Sequence, residues 1–232
     1  MDNVLRPALA ALALLALAQG GTGAEVVIAA DTVIAADLVV DSVTTCRIQP
    51  GVTIRFDGYR QVRVAGVLIA EGTRDRPIRF TSVERPHGSS DRPSWQGLSV
   101  SGRRAYARLR HCRIEGAYAN GFWEAGAVLD SCEIVGNYRG IYCGRGARPH
   151  IRGCRIYRNV IGVTVNQGLP LLLGNVITEN SLGMQIESGS ESVAARNTLA
   201  RNGQDLHVDQ TLEKVDTAMP VQRLWDVMRR LY

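Results

Sequence analysis

Lysine is almost missing from this chain: of its 27 basic side chains, only Lys214 is not an arginine. Aromatic residues make up 6% of it, and the composition leans on Val, Ile, Gly and Arg instead. Four histidines, His87, His111, His150 and His207, show no paired spacing, and the four methionines do not cluster. No metal site and no cofactor is therefore expected from them. Beyond the first two dozen residues no run is apolar enough to cross a membrane. No cysteine closely follows the N-terminal apolar run, which argues against lipid anchoring there.

What the chain does have is one short phrase written five times. It reads Cys112-Arg-Ile114, Cys132-Glu-Ile134, Cys154-Arg-Ile156, Asn175-Val-Ile177 and Asn197-Thr-Leu199, at steps of 20, 22, 21 and 22 residues. Asn137, Asn159, Asn180 and Asn202 stand three residues past the last four phrases, and Gly140, Gly162 and Gly183 three further on. A period of this size carried by several positions at once marks a solenoid. Apolar residues alternate over short runs (Ile141 and Cys143, Val163 and Val165, Met184 and Ile186, Leu206 and Val208), which is strand patterning. A second short run precedes each phrase at Leu109, Leu129, Ile151, Leu172 and Ala194. Three short strands per repeat with Gly and Asn corners predict an all-β solenoid, a parallel β-helix of about seven or eight coils. A leucine-rich repeat would need a Leu-x-Leu core and a helical return, and neither is written.

Stacked coils place equivalent residues in columns about 4.8 Å apart. The column Cys112, Cys132, Cys154, Asn175, Asn197 is expected inside at one corner, with amides bonding along the stack and cysteine as a small buried substitute. Asn137, Asn159, Asn180 and Asn202 are expected at the next corner, in the left-handed conformation that Asn tolerates. Both columns read as structural ladders. Neighbouring cysteines fall within disulfide reach, so Cys112–Cys132 or Cys132–Cys154 could pair, or the thiols stay free. Cys46-Arg47-Ile48 repeats the phrase 66 residues before Cys112, which suggests three further periods.

Residues 1–24 read as a secretory signal peptide: Arg6, a small apolar run from Ala8 to Ala18, then Gly-Gly-Thr-Gly-Ala. Residues 25–209 form the coils. Residues 210–232 form a linker and a helix, N-capped by Thr217, with an apolar stripe of Val221, Leu224, Trp225, Met228 and Leu231. That helix is expected to cover the open last coil, or to dock a partner protein through Val221, Leu224, Trp225 and Met228. The expected location is periplasmic or secreted. Export disfavours nucleic acid as a partner, although Arg103 to Arg158 holds eleven Arg against four acids. That stretch is either a stripe for an acidic polysaccharide or envelope component, or a solvated face. Glu84 to Ser94, polar and punctuated by proline, reads as an exposed loop.

Pro50-Gly51-Val52-Thr53-Ile54-Arg55-Phe56, the stretch Val64 to Thr73, Pro77-Ile78-Arg79-Phe80-Thr81-Ser82 and Trp95-Gln96-Gly97-Leu98 resemble exported bacterial right-handed parallel β-helix proteins. These are the pectate-lyase-like (pectin-lyase-like) superfamily, including periplasmic proteins of the nitrous-oxide-reductase maturation type. The resemblance covers Glu25 to about Val208 and implies the fold and export. It leaves function open, because the repeat hosts lyases, hydrolases, epimerases, adhesins and inert scaffolds. The catalytic members imply an Asn-Thr-Asp, Asp-Asp or Asp-Pro-His-Asp string, and none is present.

No catalytic residue is therefore assigned. The best binding candidate is an outward column after each glycine, Tyr142, Thr164, Gln185 and His207, headed by Trp123 and edged by Glu187 and Asp209. Sugars use such ledges, with an aromatic face for stacking and polar groups for hydroxyls. The register at Trp123 is open, since a one-residue slip would turn it inward. The leading expectation is a non-catalytic binding or scaffolding module for a polysaccharide or cell-envelope partner. The alternatives are a carbohydrate-active enzyme on an acidic glycan and a docking module acting through the C-terminal helix.

Overall fold

The computed structural model describes residues 23–84, 90, 92–187, 190 and 192–208. Most of the N-terminal leader, most of the loop at 84–94 and the C-terminal helix read from the sequence lie outside the described residues. Ala24, expected as the last residue before the coils, opens the first strand, Ala24–Ile28, and pairs with Thr44.

The described chain forms 24 strands in three eight-stranded sheets, and every third strand joins the same sheet. All pairings are parallel, as in Tyr106–Arg110 on Gly126–Asp130 and Arg139–Cys143 on Ile161–Val165. The result is a solenoid of eight coils, each contributing one strand to each sheet. Alternation sets which side chains point inward. Leu68, Leu109, Leu129, Ile151 and Leu172 fill the core from the first sheet, Ile54, Phe80, Ile114, Ile134, Ile156 and Ile177 from the second, and Val100, Phe122, Cys143, Val165 and Ile186 from the third. The chain leaves the coil once, after Ser82, and Trp95 anchors its return. Its ring stacks on Phe56 at 4.4 Å and its Nε1–H donates to the Glu115 carbonyl at 2.8 Å.

Two amide ladders run through the corners. In one, the Oδ1 atoms of Asn159, Asn180 and Asn202 accept the backbone N–H of the asparagine one coil earlier, at 2.9–3.0 Å. Their Nδ2 groups donate to the carbonyls of Ile134, Ile156 and Ile177. Ala117 holds the ladder position one coil before Asn137 and gives it its N–H, while Asn120, three residues on, takes the Leu98 N–H and donates to the Gly140 carbonyl. In the other ladder Asn175 and Asn197 donate to Ile151 and Leu172. Cys112, Cys132 and Cys154 donate through sulfur to the equivalent carbonyls of Ala70, Leu109 and Leu129 at 3.1, 3.4 and 3.6 Å. Cysteine is a one-donor substitute for the amide. All five cysteines are free and buried.

Two sequence readings need correction. The left-handed residue is not the asparagine but the residue before it: Gly136, Arg158, Glu179 and Arg201 have positive φ, as do His111, Ser131, Gly153, Gly174 and Arg196 at the other corner. The corner must turn the backbone so that the following amide points inward, and that twist falls one position earlier. Cys46 does not belong to the Cys112 column. It pairs with Leu68 in the first sheet, whereas Cys112 pairs with Ile78 in the second. The two lie two coils apart rather than three, because the excursion after Ser82 lengthens one coil. The glycines after the ladder have a different cause. A Cβ on Gly140 or Gly162 would stand 2.5 Å from the next coil's glycine carbonyl and press on the ladder amide.

The corner strain is open to measurement. A Cβ at Gly174 would meet no neighbour within 4 Å, so Gly174→Ala probes conformation alone. It is expected to destabilise by about 1–2 kcal/mol, while Arg196→Gly in the same column stabilises by about 1 kcal/mol. Asn159→Ala strips several buried bonds at once and should destabilise by about 3 kcal/mol or more. Urea unfolding of the three variants checks all three signs; an unchanged midpoint for Asn159→Ala would remove the ladder's structural weight.

Candidate functional site

The third sheet turns two columns outward. One runs Ser99, Gly121, Tyr142, Thr164, Gln185, His207, in direct strand-to-strand register. The other, two residues on, runs Ser101, Trp123, Gly144, Asn166, Glu187. Trp123 does face outward, yet it heads the second column, not the column of Tyr142. The register shifts between Ala119 and Gly121, which seats Phe122 in the core beside Cys143 and places Gly121 level with Tyr142. Gly121 and Gly144 then make room for the indole. A Cβ on either would lie 2.1–2.3 Å from its ring atoms, so Trp123 lies down across a two-glycine floor.

The predicted residues converge on this strip. The Trp123 and Tyr142 rings lie 5.6 Å apart at 37°. The Arg139 guanidinium sits over the Tyr142 ring, 5.4 Å from its centre. Asn166 donates to Glu187 through its amide nitrogen. Burial pushes the Tyr142 phenol above its usual range, and the negative charge of Glu187 adds to the effect. Gln185 and Glu187 are half-buried and His207 is exposed. Thr164, read from the sequence as presenting its hydroxyl outward, is enclosed: it is on the outward column but 0% exposed. Its Oγ1 has no hydrogen-bond partner, and neither does the buried Nε of Arg139. The strip thus holds two unused polar atoms. Asp209 lies outside the described residues, as do Val221, Leu224, Trp225 and Met228.

Arg139 and Asn166 belong to the strip and were not among the predicted residues. Asn166 had a usable signal, since it stands two residues past Thr164 as Glu187 stands two past Gln185. Arg139 had none, because an arginine before a glycine does not declare what its side chain covers.

A second concavity lies on the outer face of the first sheet. This groove of about 400 Å³ is lined by Arg108, Arg110, Val128, Asp130, His150 and Arg152, among others. Its charges alternate along the stack. Arg152 bonds Asp130 at 2.8 Å and Arg108 reaches Glu71 at 3.9 Å. Burial pushes the Asp130 carboxyl up, but the hydrogen bonds from Arg152 and Ser131 outweigh it and hold the group below the usual carboxylate range. A general acid needs the opposite shift. The same pairing breaks up the expected basic stripe on the second sheet: Glu133 lies between Arg113 and Arg155, and Glu179 between Arg158 and Arg201. Among the described residues no group of three or more His, Cys, Asp or Glu side chains is placed to hold a metal ion.

Three parallel sheets wound into one solenoid, with inward amide ladders and a function left to outward columns, define a parallel β-helix. Residues 91–210 match the family described as the right-handed β-helix region, just over half of the 232-residue chain. The chain belongs to that family. No curated protein and no solved structure matches it.

The thiols offer a test of the core beneath the strip. Burial pushes Cys46 up to about 11 and Cys143 higher still. Contact with Cys112, together with burial, also raises Cys132. All five thiols are buried, so a thiol reagent should find none of them in the folded protein at pH 8, and all five after unfolding. The folded state holds the Cys46 proton more tightly than the unfolded chain, whose thiol titrates near 9.0. This stabilisation is complete below pH 9 and is lost as pH rises from 9 toward 11. Urea midpoints across that window should fall, and fall less steeply in Cys46→Ala.

Proposed function

We propose that this protein is an exported, non-catalytic β-helix module that binds a polysaccharide of the cell envelope or its surroundings through the outward strip of the third sheet. The observation that carries this reading is the Trp123–Tyr142 pair, 5.6 Å apart and lying on a glycine floor, continued in register by Thr164, Gln185 and His207. An aromatic pair at that separation gives the apolar face of a sugar ring something to stack on. The Gln185 amide and the His207 imidazole in line beyond it suit ring hydroxyl groups.

A carbohydrate-active enzyme on the same strip is less well supported. Glycosidic cleavage needs two carboxylates facing one bond, and among the described residues Glu187 is the single carboxylate in the two columns. Its charge is already engaged by the Asn166 amide. The leader at residues 1–24 supports export.

A glycan-array screen followed by calorimetry on the hits tests the proposal. Trp123→Ala and Tyr142→Ala should each weaken binding about tenfold, the scale of one lost stacking contact. Their outward position should leave the circular dichroism of the coils unchanged. Product analysis with Glu187→Gln and Asp209→Asn separates the enzyme reading: a binder shows no turnover to lose. Binding that survives both aromatic substitutions would remove the strip from consideration.

A further inference from the structure

The register of the third sheet gives the strip a direction and a length. Tyr142, Thr164, Gln185 and His207 face one another across consecutive strands, one residue per coil. Along any single strand the strip is two outward residues wide, roughly 7 Å, whereas it crosses strand after strand at about 4.8 Å each. A ligand that meets both the Trp123–Tyr142 pair and the Gln185–Glu187 end must therefore be extended and must run along the solenoid axis. A compact ligand would reach one end only.

The coil spacing is close to the length of one hexopyranose residue in an extended chain. The aromatic pair repeats that step, at 5.6 Å between adjacent coils. Four coils carry the strip from Trp123 to Glu187, through the strands Ala119–Trp123, Arg139–Cys143, Ile161–Val165 and Leu182–Ile186. Each coil offers a different contact. Trp123 and Tyr142 stack, Asn166 brings an amide beside the enclosed Thr164, and Gln185 and Glu187 bring an amide and a carboxylate.

Charge selects among such polymers. Arg139 is the cation on the strip, drawn over the Tyr142 ring, and Glu187 is the anion, close enough to raise the Tyr142 phenol. A chain with a carboxylate on every sugar would gain one contact at Arg139 and set a like charge against Glu187 two coils away. A neutral chain meets no such penalty and has the half-buried Asn166 and Gln185 amides to bond. We propose that the strip binds a neutral, extended polysaccharide of the β-1,4-linked type, lying parallel to the solenoid axis with one sugar per coil. This inference rests on the glycan-binding reading above.

The test is calorimetric titration of the full chain with β-1,4-linked gluco- and N-acetylglucosamine oligomers of two to six residues, with oligogalacturonates of matching length alongside. Affinity should climb with each residue up to four and then level off, the tetramer binding about tenfold more tightly than the dimer, as one further stacking or hydrogen-bond contact supplies. The acidic series should bind more weakly than the neutral one, and Glu187→Gln should narrow that gap. Affinity already saturated by a disaccharide, or a preference for the oligogalacturonates, would overturn the axial neutral chain and leave glycan binding intact. Failure of every oligomer of both series to bind would instead remove the glycan-binding reading itself.

Discussion

From the fourth coil to the eighth, each coil of this protein is tied to the next by a side-chain amide that closes the backbone of its corner. The Oδ1 of one asparagine takes the N–H of its counterpart one coil earlier, and its Nδ2 gives to a carbonyl at the end of the previous strand. Corner backbone has no partner within the sheets, and buried unpaired groups are expensive. The amide answers both needs with one residue, but only when the next coil stands directly above in register. That condition fixes the corner between the second and third sheets and lets length vary elsewhere. The excursion after Ser82 leaves from that same corner, one coil before the asparagine ladder begins, and re-enters through Trp95.

In-register stacking has a consequence for charge. Equivalent positions become neighbours, so a repeat that kept the same charged residue in every coil would stack like on like. The chain alternates instead: Arg113, Glu133 and Arg155 down one column, Arg158, Glu179 and Arg201 down another. Eleven arginines against four acids between Arg103 and Arg158 suggest a basic face when counted along the sequence. Counted along columns, several are neutralised by an acid one coil away. Arginine suits this arrangement better than lysine because its planar fork reaches neighbours on both sides, and Arg113 contacts Glu115, Glu133 and Tyr157 together.

The third sheet departs from this pattern. Glycines lie under Trp123, and the enclosed Thr164 hydroxyl and the Arg139 Nε have no hydrogen-bond partner, as is also true of Ser94 Oγ and Thr178 Oγ1 elsewhere. Cys112, Cys132 and Cys154 repeat at regular intervals, yet each is spent on a ladder carbonyl and none is exposed.

The sequence alone determined the period, the three strands per coil, both ladders and the column from Tyr142 through Thr164 and Gln185 to His207. A repeated coil writes its register into residue spacing, and alternation within a strand decides which side faces in. Tertiary structure decided whatever depends on a coil that breaks the spacing. A shift between Ala119 and Gly121 moved Trp123 to the neighbouring column, and a lengthened coil turned the 66-residue interval from Cys46 to Cys112 into a coincidence. It also decided what identity cannot encode: the left-handed twist one residue ahead of each asparagine, the enclosure of Thr164 and the position of Arg139 over Tyr142. Those follow from backbone phase and from packing between coils, and both exist only once the coils are stacked.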